Sequence, residues 1–145
     1  MPDFEFFPVP RAAQQDPLPR LIATIPYTDF AASSTYYAYY SGVLNRRARA
    51  RTLIVFSTLN ESITSVGFYP YDSTTQTGNP ATIDGGFTWG SGPGTNGLWI
   101  QTSEQASAGP AGALAAHVDS FEIGLGMGAT APTSGQVTIW IVEVF

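Results

Sequence analysis

From Leu21 onward the chain is a succession of short apolar runs separated by Gly, Pro, Asn, Asp and Ser clusters, the pattern of strands and turns. Leu21 to Ile25 stops at Pro26, and Thr35 to Leu44 carries Tyr36-Tyr37-Ala38-Tyr39-Tyr40, aromatic on both phases of a two-residue period. In Leu53-Ile54-Val55-Phe56 the apolar residues do not alternate at all, which predicts a central strand buried on both sides. Asn60-Glu61-Ser62 reads as a polar turn before Ile63 to Tyr69 resumes the extended pattern, so these two runs are expected to form a hairpin. Asp72 to Asn96 reads as a long loop interrupted by Ile83 and by a short strand at Phe87 and Trp89, with Gly90-Ser91-Gly92-Pro93-Gly94 at its tip. Leu98-Trp99-Ile100 is another strand. Gly109 to His117, rich in alanine, is the one place where a short helix is expected.

Phe121, Ile123, Leu125 and Met127 alternate with Glu122, Gly124, Gly126 and Gly128, a strand with one packed face and one bare face that lets a neighbouring group approach. In the last run Val137, Ile139 and Ile141 share one phase while Trp140, Val142 and Val144 share the other, which implies a central or sandwiched strand. Roughly seven to nine short strands in about 125 residues predict an all-β fold, an antiparallel two-sheet β-sandwich or jelly roll.

Residues 1 to 20 are different. Pro2, Pro8, Pro10, Pro17 and Pro19 remove backbone donors and favour extended or polyproline backbone. Phe4, Phe6, Phe7, Val9 and Leu18 are too apolar for a solvated linker. We therefore expect an extended proline-rich arm over 1–20 ahead of a β-sandwich domain over 21–145. Either the arm folds back as an edge strand, or Phe4, Phe6, Phe7 and Val9 dock on a neighbouring subunit or partner.

The 145 residues include no cysteine, no lysine and one histidine, His117, and only 12% are charged. Disulfides, thiolate metal sites and cysteine nucleophiles are excluded, and a phosphate-loop lysine is impossible. Met1 to Pro8 lacks the basic start and apolar run of an export signal, and no apolar run approaches the roughly 20 residues that span a bilayer, so no membrane is expected. Net charge of −5 disfavours nucleic acid, whose phosphates need many cations. Four of the six arginines form one cluster, Arg46, Arg47, Arg49 and Arg51. If extended, Arg47, Arg49 and Arg51 line one side, as a solvated strand face or as a row able to bind carboxylates or phosphates at a partner surface.

The catalytic candidates are thin. His117 has Asp119 two residues on, with Ser107 and Ser120 nearby, but no nucleophile elbow accompanies them. Gly92-Pro93-Gly94-Thr95-Asn96-Gly97 matches a dinucleotide pattern only formally, since a strand rather than a helix follows. Asp84, Glu104, Asp119 and Glu122 show no paired spacing for glycoside hydrolysis, and a carbonyl-bound ion between Asp72 and Asp84 is the one metal option. No catalytic residue, cofactor or metal is assigned. Exposed tyrosines among Tyr36, Tyr37, Tyr39, Tyr40, Tyr69 and Tyr71, with Trp89 and Trp99, are the better candidates for a site, as sugar-stacking platforms or protein interfaces.

The proline-rich arm, the run Leu53-Ile54-Val55-Phe56-Ser57-Thr58-Leu59-Asn60 followed by Ile63 to Phe68, and Ala129-Thr130-Ala131-Pro132-Thr133-Ser134-Gly135 before the closing strand together resemble the small β-sandwich structural proteins of tailed bacteriophages, the capsid decoration and tail accessory proteins. The resemblance implies a non-enzymatic virion protein that forms a homo-oligomer and reinforces a shell through contacts with a major capsid or tail protein. The alternative is a non-catalytic glycan-binding β-sandwich module.

Overall fold

A computed structural model describes residues 18–75, 87–89, 97–102, 114 and 117–145. Phe4, Phe6, Phe7 and Val9, the body of the loop after Asp72, and the expected helix apart from Leu114 and His117 lie outside those residues.

Eight strands follow in order: β1 (Arg20–Pro26), β2 (Thr35–Tyr40), β3 (Ala50–Ser57), β4 (Ile63–Tyr71), β5 (Phe87–Trp89), β6 (Leu98–Thr102), β7 (Ser120–Met127) and β8 (Gln136–Val144). They build two four-stranded sheets, the first ordered β1-β8-β3-β6 and the second β2-β7-β4-β5. β1 pairs with β8, β2 with β7, β3 with β6 and β4 with β5, all antiparallel. That nesting is a long antiparallel hairpin rolled up until alternate strands fall in opposite sheets, the jelly-roll form of the β-sandwich.

The rolled topology corrects the hairpin expected between Leu53–Phe56 and Ile63–Tyr69. β3 and β4 belong to different sheets, and the residues between them arch across the sandwich. Leu59 is buried in the core, and Asn60 Oδ1 accepts from the Thr133 amide (2.8 Å), tying the arch to the β7–β8 loop.

Period-two alternation sets the core. Ile25, Leu53, Val55, Val137, Ile139 and Ile141 of the first sheet face Ile63, Val66, Phe68, Phe121, Ile123 and Leu125 of the second, all essentially inaccessible. Phe68 stacks on Phe121 with ring centroids 4.9 Å apart. Burying each such side chain is worth about 1.5–3 kcal/mol, and truncating Phe121 to alanine is expected to cost about 3–5 kcal/mol.

The described loops segregate to two ends. At one, Tyr27 N donates to Gly135 O, Ser33 N to Gly128 O and Asn60 N to Ser134 O. Gly135 sits at φ +94°, where a Cβ would lie 2.2 Å from the Thr58 carbonyl oxygen, so only glycine fits that crossing. At the other end the β2–β3 loop meets the segments around Asp72 and Asp119, with Leu44 N donating to Asp119 O.

Candidate docking surfaces

Arg20, Arg46, Arg47, Arg49 and Arg51 all gather at this second end, but not as a row. Arg46, Arg47 and Arg49 precede β3, which begins at Ala50, so strand periodicity does not govern them. Arg51 lies in β3 on the phase of Leu53 and Val55 and is 1% exposed. Its Nε donates to Glu143 Oε2 (2.9 Å), Nη1 to Leu114 O (2.9 Å), and Nη2 to Asn45 O (2.7 Å) and Val118 O (3.1 Å). Glu143, also inward, accepts from Arg20 Nη2 and the Asn45 amide, both at 2.8 Å. Burial pulls the Arg51 pKa down while the hydrogen bond and charge of Glu143 push it back up, and a guanidinium stays cationic in such company. Arg51 is therefore a structural clamp inside the sandwich, which corrects its expected place on a partner-binding surface.

Arg46 is spent on carboxylates: its Nη2 bonds Asp72 and, at 3.1 Å, Asp119. Asp119 also accepts from Ser73 N (2.9 Å), Ser73 Oγ (2.6 Å) and Ser120 Oγ (2.8 Å). Partial burial works to raise its pKa, but those hydrogen bonds and the Arg46 charge outweigh it and hold the carboxyl below the ordinary value of 3.8. Asp72 is held low chiefly by the amide and hydroxyl of Thr74. Arg49 Nη2 donates to the Phe145 carbonyl (3.0 Å). Arg47 is exposed, and among the described residues only its backbone amide is engaged, by Asn45 Oδ1 (2.9 Å). His117 is an exposed loop residue whose Nδ1 lies 3.0 Å from Arg46 O, so among the described residues no hydrogen bond joins it to Asp119. The described residues hold no cluster of three or more groups able to ligate a metal.

The outward face of the first sheet differs sharply from this charged end. Leu21 pairs with Trp140, Trp140 with Ile54, and Ile54 with Ile100, one apolar row crossing all four strands. Beside it runs a second row, Thr24, Thr138, Phe56 and Leu98. Leu21, Phe56, Leu98 and Ile100 are 51%, 40%, 61% and 47% exposed. The Trp140 indole N–H donates within the face to Thr138 Oγ1 (3.0 Å), so the tryptophan presents hydrocarbon outward. A shallow groove of about 340 Å³ runs between Pro19, Ile54, Phe56, Leu98, Thr138 and Trp140. No charged residue stands in either row. β3 is central within its sheet as expected, but on its second face Thr52 and Ile54 are half-buried and Phe56 is exposed, so the described residues do not enclose that face. Singly exposed apolar residues are ordinary, whereas a contiguous apolar patch marks an interaction surface.

The outward face of the second sheet is paved with tyrosine. A Cβ on Gly124 would stand 2.9 Å from Tyr37 Cε1, and one on Gly67 would stand 2.6 Å from Tyr69 Oη, so both rings lie close against bare backbone. Tyr37 is 58% exposed. Tyr39 stacks on Tyr71 at 4.5 Å, whose buried hydroxyl has no hydrogen-bond partner among the described residues. Burial raises the Tyr71 pKa above its ordinary value.

The outer apolar rows were missed in the sequence because double-phase hydrophobicity in β3 and β8 reads as enclosure. Their only signal was the surplus itself: too many apolar residues for one core. Comparison with protein-family models, curated proteins and solved structures finds no match for the chain.

Proposed function

We propose that the chain is a virion structural protein, a capsid decoration or accessory subunit that stabilises a shell by docking on neighbouring subunits. The observation that carries this reading is the apolar row Leu21, Trp140, Ile54 and Ile100 on the outside of a complete sandwich. A face with no charge and several residues half exposed is costly to leave in water, at about 25 cal/mol per Å², and is stabilised by a permanent neighbour. The concentration of the described arginines at one end supports the same reading, since it leaves both broad faces for contact. The jelly roll is used by capsid proteins but also by lectins, so it supports the class by analogy alone.

The test is co-sedimentation of the purified chain with virions encoded by the same genome, using the wild type and Phe56→Ser/Leu98→Ser. The wild type is expected to travel with the particle at fixed stoichiometry and the variant, still folded, to stay at the top of the gradient. Wild-type protein that never enters the particle fraction overturns the assignment.

A second reading, a glycan-binding module, is favoured by the Tyr37 and Tyr69 rings close against Gly124 and Gly67 on the outward face, because sugar rings stack on aromatic faces. A glycan array separates the two: saturable binding abolished by Tyr37→Ala supports this reading.

A further inference from the structure

We propose that the outer face of the first sheet is the seat of the arm of a second copy of this chain, with Phe4, Phe6, Phe7 and Val9 laid across the Leu21–Trp140–Ile54–Ile100 row. The inference rests on the assembly reading of that face and names its occupant.

Three observations converge. The chain reaches the face at its rim, since Pro19 lines the groove and Arg20 begins β1. The segment preceding that rim contains Phe4, Phe6, Phe7 and Val9, apolar chemistry that matches an uncharged face. The distances then favour a neighbour. Across three strand spacings of roughly 4.8 Å the face is only about 14 Å wide. Val9 lies ten residues before Pro19 and Phe4 fifteen, which at about 3.1 Å per residue corresponds to roughly 30–45 Å of extended chain. Pro8, Pro10, Pro17 and Pro19 favour that extended backbone. An arm extended across the strands would carry the aromatic cluster beyond its own face and within reach of the equivalent face of an adjoining copy. Phenylalanine anchors seated in an apolar groove are typical of contacts that carry most of an interface's energy. Repeated by every copy, the exchange closes into a symmetric dimer or ring.

The absence of cysteine makes a clean test possible. Two full-length variants, Phe6→Cys and Ile100→Cys, are mixed and mildly oxidised, and the linked peptides are identified by mass spectrometry. The expected product is a disulfide between the two different variants, joining position 6 of one copy to position 100 of the other. A link that forms only within a single chain carrying both Phe6→Cys and Ile100→Cys, and never between the mixed singles, means the arm covers its own sheet and overturns the proposal. Absence of any link between these positions overturns it too. In parallel, Phe4→Ser/Phe6→Ser is expected to weaken self-association roughly tenfold or more in sedimentation velocity without lowering the melting temperature. Self-association that survives this change shows that the faces pair directly without the arm, which also overturns it. Failure here while wild-type protein still co-sediments with virions leaves the virion reading standing. A positive cross-link with no particle binding supports the seat and removes the virion assignment.

Discussion

Replacing the two charges of the Arg51–Glu143 pair singly and together separates what the salt bridge contributes from what the guanidinium does for the backbone. The two side chains are 0% and 6% exposed. Glu143→Leu leaves Arg51 as a buried cation without its carboxylate, which is expected to cost about 3–5 kcal/mol. Arg51→Met leaves Glu143 with Arg20 and the Asn45 amide, but takes the donor from the inward carbonyls of Leu114 and Val118. At about 1–3 kcal/mol for each buried group left unsatisfied, that is roughly 2–6 kcal/mol. Apolar replacement of a whole buried ion pair is often neutral or stabilising. Here it is not expected to be, because the same two carbonyls lose the guanidinium donor in Arg51→Met/Glu143→Leu. The double variant should be about as unstable as Arg51→Met alone, so the two changes should be strongly non-additive.

Urea denaturation followed by tryptophan fluorescence gives the three free-energy differences. Thermal melts provide a second reading, at roughly 3 °C per kcal/mol for a chain of this size. Arg51→Lys, which keeps the charge but not the fork of donors, should fall between wild type and Arg51→Met. A double variant within about 1 kcal/mol of wild type would refute the reasoning, since the carbonyl bonds would then contribute nothing.

Asp119 has a folded pKa below 3.8, so its stabilisation is fully present above that value and is lost as the pH falls through the lower, folded one; Asp119→Asn should flatten the fall in urea midpoint below about pH 4, and an unchanged slope would assign the acid sensitivity elsewhere. Tyr40 is pushed up to about 12, first by burial and then by Tyr36. Its contribution is complete below pH 10 and lost as the pH climbs toward 12, so absorbance titration of wild type against Tyr40→Phe should show one late-ionising ring fewer, with those of Tyr36 and Tyr71 retained. Gly135→Ala should destabilise by about 3 kcal/mol or more, because strained φ and a clash with backbone add together, whereas Gly42→Ala, at φ +71° in open space, should cost only about 1–2 kcal/mol. Equal melting temperatures for the two glycine variants would remove the role given to the Thr58 crossing.

Much of the fold was legible where one face of a strand is apolar and the other is not. Phe121 to Met127 alternates without exception, and its bare glycine face receives Tyr37, as the spacing implied. The tyrosine run divides as its two phases required, Tyr36 and Tyr40 packed on the core and Tyr37 and Tyr39 outward. Strand pairing was not legible, because a polar triplet such as Asn60-Glu61-Ser62 suits a hairpin and an arch equally and only long-range partners such as Thr133 decide. The arginine cluster misled for a related reason. Arg46, Arg47, Arg49 and Arg51 share a composition, but the strand begins at Ala50, so one cation turns inward by strand geometry while the others follow the loop.

The open face of the first sheet shows where local pattern stops being informative. Leu53-Ile54-Val55-Phe56 and Val137 to Val142 are apolar on both phases, which states that both sides avoid water but not which chain covers the second side. A layer from the same domain and a neighbouring subunit impose the same requirement on the residues beneath them. Here every described strand is already used in the two sheets, and the outer rows have no third layer from those strands. The surplus of apolar residues and the scarcity of charge are thus one property. On the proposed reading, charged residues on that face would have to be desolvated on docking, whereas at the end of the roll Arg20, Arg46, Arg49 and Arg51 serve the loops and termini as clamps.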